Sequence, residues 1–144
     1  MPAVPLLLPL LLVPLAAAGA LGLVGDRRFA PEINILGSAA TFVAALGLAV
    51  QVYESGPFLA GGEFFFVDAF NIYLAVLTAF VSMTTAVFSR RYMRREREHG
   101  RVGHVGMRFY HAMFQLFIFA MLLCLLTNNV GILWIAMELA TLST

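Results

Sequence analysis

A single acidic residue, Glu138, lies near the middle of an otherwise apolar segment that runs from Val130 to Leu142. Placing a carboxylate at the centre of a lipid bilayer costs about 2.5–3.5 kcal/mol on insertion scales. Lipid disfavours the charged form of such a group, whereas a nearby cation favours it, so a carboxyl group held between the two effects can take up and release a proton. The setting of Glu138 therefore predicts an intramembrane proton relay. The alternative is a protonated glutamate that only hydrogen-bonds neighbouring helices.

A second titratable side chain, His111, lies about one turn into another apolar segment, and Gln115 follows one turn later on the same helical face. Histidine changes its charge near neutral pH, so His111 is a second candidate proton carrier. Its alternative role is packing near the membrane interface. We expect Gln115 to hydrogen-bond across helices. We also expect Thr141, three residues after Glu138, to hydrogen-bond that glutamate.

Residues for other kinds of chemistry are missing from the sequence. There is one cysteine, Cys124, which excludes an intrachain disulfide and is interpreted as a small buried apolar residue. No cluster of cysteines and histidines indicates a metal or iron–sulfur centre, and no glycine-rich loop follows a strand to bind phosphate. We predict no metal and no cofactor. The chain has no catalytic centre of its own, and whether it belongs to an enzyme stays open.

Apolar segments long enough to cross a membrane dominate the chain, which is 61% hydrophobic and 12% charged. A span needs about 20 helical residues. The fifth segment has about 15 residues and is interpreted as an interrupted helix, so we expect the sequence to be the N-terminal part of a longer protein. A signal peptide is the alternative for the first segment, although no arginine precedes it. The sequence predicts an all-α integral membrane fold whose five segments are 4–24, 33–53, 70–88, 109–127 and the segment from Val130 onward.

Arginines mark alternate connections between these segments. By the positive-inside rule those connections lie in the cytoplasm, which puts the N-terminus outside. Nucleic-acid binding is excluded, because Glu96 and Glu98 interleave with the arginines and the cluster adjoins a span. The arginine-rich connection is either a solvated loop or a contact for anionic lipid or a partner subunit. The nine arginines are Arg27, Arg28, Arg90, Arg91, Arg94, Arg95, Arg97, Arg101 and Arg108.

The connection between the second and third segments carries turn residues followed by a run of aromatics. Residues 55–66 are therefore expected to form a short hairpin on the outer surface. Asp68 directly precedes the third segment, where its side chain is expected to cap the free N–H groups of the helix.

Several spaced patterns together resemble a known family. The segment 109–117, the pair 121–122, the turn 127–129 and the Trp-x-x-x-Glu-x-x-Thr-Leu pattern that begins at Trp134 occur in the family's order. The chain resembles the antiporter-like proton-translocating membrane subunits of respiratory complex I, group-4 membrane-bound nickel–iron hydrogenases, formate hydrogenlyases and multisubunit sodium/proton antiporters. Such subunits contain inverted repeats of helices. The resemblance implies that residues 1–93 form three helices before the repeat and that residues 107–144 form its first two helices.

The resemblance also implies a role for Glu138, which matches the glutamate on the family's fifth helix in the axis of charges that carries protons. The family's partner lysine, on its seventh helix, is not in this sequence. The chain is thus expected to be an N-terminal fragment of a proton- or cation-translocating subunit of a respiratory or hydrogenase-type redox complex in a bacterial or archaeal cytoplasmic membrane. Its implied partners are other membrane subunits, lipid, and protons or small cations. The alternative is a small structural membrane subunit that packs without transporting ions.

Overall fold

The computed structural model describes residues 4–144, with side chains from Leu6 onward. The described residues form five α-helices and one two-stranded hairpin, so the predicted all-α membrane fold is confirmed. Four of the helices are long and apolar enough to cross a membrane, and the fifth is shorter. The elements are α1 Val4–Val24, α2 Ala30–Ser55, β1 Phe58–Ala60, β2 Phe65–Val67, α3 Ala69–Glu98, α4 His104–Leu126 and α5 Val130–Ser143.

Helix α3 is longer than the sequence predicted. It continues ten residues past Phe88, the predicted end of the span, and reaches Glu98. The sequence assigned the arginines from Arg90 to Arg97 to the connection after the third segment, and the structure places them within α3 instead. Arginine and glutamate both have favourable helix propensity, so the helix persists after it leaves the apolar segment. Its 30 residues span about 45 Å, compared with about 30 Å for the hydrocarbon core.

The predicted hairpin is confirmed, and so is the cap that follows it. Strands β1 and β2 pair antiparallel, with Leu59 opposite Phe66. Glu63 has a φ of 74° in the connecting turn, a left-handed conformation that is uncommon for residues other than glycine. Asp68 Oδ1 accepts a hydrogen bond from the backbone N–H of Asn71 at 2.8 Å, and Asn71 Oδ1 accepts one from the N–H of Asp68 at 2.8 Å. This reciprocal pair fixes the start of α3.

The hairpin also holds the turn between α4 and α5. The Asn128 N–H donates to the carbonyl oxygen of Phe64 at 2.7 Å, and Asn128 Nδ2 donates to that of Glu63 at 3.1 Å. The Thr127 hydroxyl donates to the same Phe64 oxygen at 3.2 Å. These bonds connect residues more than 60 positions apart and set where α5 begins.

The first four helices pack in a ring in which α1 contacts α2 and α4, and α3 contacts the same two helices, whereas α5 packs mainly on α4. The half of the ring next to the hairpin is apolar, with Leu10, Leu48, Ala75 and Leu122 fully buried. The opposite half, next to the arginines, contains the buried polar side chains Asn34, Ser38, His111 and Gln115.

Helices α1 and α4 meet closely at the arginine-rich end. A Cβ atom on Gly25 would lie 2.8 Å from the Cα of Arg108, closer than real Cβ atoms approach a backbone. The Arg108 guanidinium donates to the Gly22 carbonyl oxygen from Nε at 3.0 Å and from Nη2 at 2.7 Å. A cation at the C-terminal end of α1 also complements the dipole of that helix.

We predict that Gly25→Ala lowers the free energy of unfolding by about 1–3 kcal/mol, because the new methyl group would overlap both the Leu21 carbonyl oxygen at the end of α1 and the Arg108 backbone of α4. Gly19→Ala is the matched control, since a Cβ atom there meets nothing within 4 Å. The control should be neutral or slightly stabilising, since alanine favours helix. Denaturant titration of the purified protein in detergent measures both, and equal effects would contradict the close approach.

Candidate functional site

Glu138 lies on the face of α5 that points away from the other helices. Helix α5 begins after Asn129, whose side chain accepts a hydrogen bond from the Ile132 N–H at 3.1 Å. Glu138 is eight residues beyond Val130, about 12 Å along the helix. The buried residues of α5 are Ala136 and Ser143, and α5 packs mainly on α4. Glu138 is turned by about 200° from Ala136, and its side chain is exposed in the isolated chain.

The neighbours of Glu138 on this face are mostly apolar. Trp134 is 69% exposed and Leu142 is 72% exposed. The Thr141 hydroxyl donates to the carbonyl oxygen of Met137 at 2.9 Å, within its own helix. The expectation that Thr141 hydrogen-bonds Glu138 was therefore wrong, because a threonine in a helix finds an acceptor in the preceding turn.

None of the ion pairs in the described part of the chain includes Glu138. They join Arg90 to Glu32 and Arg101 to Glu96, and a third contact brings the His104 ring to 3.8 Å from an Asp26 carboxylate oxygen. All three lie at the arginine-rich end, where α1 and α3 end and α2 and α4 begin. Glu138 is thus an acidic group on an apolar, outward-facing surface, without a cation from residues 6–144.

A buried polar layer occupies the inner face of α4. The Gln115 side chain is fully buried, and its Nε2 donates to the Asn34 Oδ1 at 2.7 Å and to the Ser38 hydroxyl oxygen at 3.0 Å. The same nitrogen lies 3.0 Å from the Asn34 carbonyl oxygen. The predicted hydrogen bonding of Gln115 across helices is confirmed. Asn34 was not singled out from the sequence, although it begins a polar series with Ser38 and Thr41 at helical spacing on α2.

His111 lies one turn before Gln115 on the same buried face, and its side chain is fully buried. Neither of its ring nitrogens has a hydrogen-bond partner among the described residues. The Gln115 Oε1 and the Asn34 Nδ2 also lack partners. The two predicted proton carriers are not brought together, because His111 faces the interior of the ring and Glu138 faces outward from α5. The role of each stays a prediction.

A cluster of metal-binding side chains is also absent from the part of the chain that the structure describes. No three histidine, cysteine, aspartate or glutamate residues cluster there in a way that would hold an ion.

We predict that Gln115→Leu lowers the free energy of unfolding by about 1 kcal/mol, because Asn34 and Ser38 lose their donor inside the helix ring. Thr84→Val is the control, since Thr84 is only partly buried and bonds only carbonyls of its own helix. A double-mutant cycle with Ser38→Ala should show coupling to Gln115, measured by denaturant titration. Strictly additive effects would mean that the polar layer does not join α2 to α4.

Comparison with known proteins identifies a relative of substantial identity. The chain is 40% identical over 121 residues to the hydrogenase-4 component F homologue of Methylacidiphilum infernorum (isolate V4). The match covers 84% of this chain and 24% of the length of that relative. No protein-family model matches the chain. The apolar helices and this relative together show an integral membrane protein. The similarity to this relative agrees with the resemblance of the sequence patterns to hydrogenase-type, antiporter-like membrane subunits.

Proposed function

We propose that this chain is part of a proton- or cation-translocating membrane subunit of a hydrogenase-type redox complex and that Glu138 is its intramembrane proton relay. The observation that carries the proposal is the position of Glu138 about 12 Å into α5, on a face that the rest of the chain leaves uncovered. The kinship with a hydrogenase-4 component supports the type of complex.

The proposal explains why an acidic residue occupies that face. A carboxylate turned toward acyl chains is unfavourable by several kcal/mol, so it needs a protein neighbour. The match covers 24% of the length of the relative, so most of that relative has no counterpart in this chain. In this proposal a cation from further sequence or from another subunit faces Glu138. As the cation approaches or withdraws, the carboxyl group releases or takes up a proton.

The two parts of the chain have different roles in this proposal. Residues 107–144 are the first two helices of an antiporter-like repeat, and residues 1–93 are the three helices that precede it. Helix α4 joins the parts, because it packs on α1 and α3 on one side and on α5 on the other. The ring of four helices therefore holds α5 in place while leaving its outer face free for the remainder of the subunit.

Orientation follows from the arginines. The end of the molecule that carries them is proposed to face the cytoplasm of a bacterium or archaeon, with the N-terminus and the hairpin outside. Electron transfer is assigned to other subunits of the complex, since this chain offers no group for it.

His111 is proposed as part of the polar layer rather than as a direct partner of Glu138. A buried imidazole with free ring nitrogens can hold a proton or a water molecule between α4 and its neighbours. Because His111 lies away from the outer face of α5, it does not contact Glu138 in this proposal.

We predict that Glu138→Gln in the complete complex reduces proton transport by about tenfold or more, because glutamine has the same shape but cannot carry a proton. Proton transport is measured in proteoliposomes, and electron transfer is measured separately on the same preparation with an artificial acceptor. Glu63→Gln is the matched control, since it makes the same chemical change in the hairpin turn, outside the spans.

Normal transport by an assembled Glu138→Gln complex would contradict the relay. It would favour the structural alternative, in which the helices only pack against partner subunits and lipid. The size and the heat stability of the variant complex are compared with those of the unaltered complex. This comparison shows whether a loss of transport comes from misfolding.

A further inference from the structure

A cavity of about 650 Å³ opens at the arginine-rich end of the ring. It lies between the connection from α1 to α2, the last turns of α3 and the start of α4. Four arginines line it, and Glu98 is the one carboxylate among the described residues that do so. The remaining lining is apolar. The arginines are Arg27, Arg28, Arg94 and Arg97, and the apolar residues are Pro31, Met93 and Met107.

The extension of α3 is what brings the arginines together. Arg94 and Arg97 are three residues apart on the helix, so they lie on the same face. Arg27 and Arg28 come from the connection between α1 and α2, more than 60 residues earlier in the chain. Had residues 90–97 formed a loop, nothing would hold these four guanidinium groups around one cavity.

The acidic residues near this cavity are engaged elsewhere. Glu32 pairs with Arg90 at 2.6 Å, and Glu96 pairs with Arg101 at 3.3 Å. Asp26 lies 3.8 Å from His104. Glu98 is the one carboxylate among the described lining residues, which leaves a net charge of +3 from the lining (four arginines minus one glutamate). Like charges that converge in this way repel each other, and a bound anion relieves the repulsion.

The depth of the cavity matches the headgroup layer of a membrane. Twenty residues of α3 from Ala69 reach Phe88 and span the hydrocarbon core of about 30 Å. Arg94 lies six residues further, about 9 Å, and the headgroup layer extends about 5–7 Å beyond the core. Arginine side chains are long enough to reach back into that layer. Arg27 and Arg28 follow the end of α1 at Val24 by three and four residues.

We propose that this cavity binds the phosphate headgroup of an anionic phospholipid from the adjacent leaflet. Guanidinium groups bind phosphate oxygens through paired, charge-assisted hydrogen bonds. Basic pockets between membrane helices are suited to such headgroups. The apolar surface of Met93, Met107 and Pro31 fits the glycerol and upper acyl carbons of a lipid. Inorganic phosphate has no apolar part that would use this surface.

The test uses the complete subunit in its complex, reconstituted in nanodiscs of phosphatidylcholine with or without phosphatidylglycerol. Retained phosphatidylglycerol is counted by native mass spectrometry, and its affinity is measured by lipid titration. We expect the double variant Arg94→Gln/Arg97→Gln to bind phosphatidylglycerol about tenfold more weakly or worse. Arg91→Gln/Arg95→Gln is the matched control, because it removes the same charge from the same turns of α3 outside the cavity.

A second pair of variants covers the case in which the first does not assemble. Arg27→Gln/Arg28→Gln removes the two cations on the other wall of the cavity. It should weaken the binding of phosphatidylglycerol by a similar factor. Arg94→Lys/Arg97→Lys keeps the charge but not the paired hydrogen bonds, so it should bind with intermediate affinity. Glu138→Gln should retain the lipid fully, which separates this proposal from the proposed relay.

Three results would overturn the proposal. One is equal loss of lipid in the cavity variants and in the Arg91/Arg95 control, which would indicate general surface charge. Another is full displacement of the bound lipid by millimolar inorganic phosphate, without any preference of the cavity for phosphatidylglycerol. That result would indicate a site for a free anion. The third is occupation of the cavity by an acidic segment of a partner subunit, detected by cross-linking from Arg94→Cys.

Discussion

Inside a bilayer no water is available to satisfy polar groups, so each of them must find its partner within the protein. Several polar side chains of this molecule have such a partner. Gln115 bonds α2 across the ring, Arg108 holds the end of α1, and Asp68 and Asn71 satisfy each other at the start of α3. Glu138 differs from them, because its surroundings within the described chain offer an apolar face and no cation. The ring nitrogens of His111 also lack partners, but they lie inside the ring, whereas Glu138 lies on an uncovered face that a partner from elsewhere could reach.

The rest of the fold determines where Glu138 lies and which way it faces. The hairpin bonds the turn before α5 through Asn128, and α4 supports the inner face of α5 through Ala136. The apolar half of the ring gives this support its rigidity, because its side chains are closely packed. At the other end, the polar layer and the arginines connect α1, α2 and α4 to the extended α3. The arginines and the polar layer thus lie at one end of the molecule, and the apolar core lies at the other. Glu138 lies part-way along α5 and points outward from the side of the bundle.

The sequence predicted the local features well and the relations between helices poorly. Apolar length set the helices, the turn residues of 55–66 predicted the hairpin, and Asp68 was identified as a cap, because each of these depends on nearby residues. The extension of α3 was missed because arginines and glutamates beside a span were taken for a loop, although they favour helix. The partnership of Asn34 with Gln115 depends on which helices pack together, and no local pattern encodes that. For the same reason, the position of Glu138 along α5 was predictable from the sequence, but the direction that it faces was not.

The central claim is that a cation from outside this chain meets Glu138 within the membrane. The most direct measurement is an experimental structure of the complete subunit in its complex, in which the distance from the Glu138 carboxylate to the nearest lysine or arginine nitrogen is read. The account predicts that such a nitrogen lies within about 6 Å, directly or through one water molecule. A carboxylate that faces acyl chains or bulk solvent, with no ionisable neighbour in the assembled complex, would contradict it.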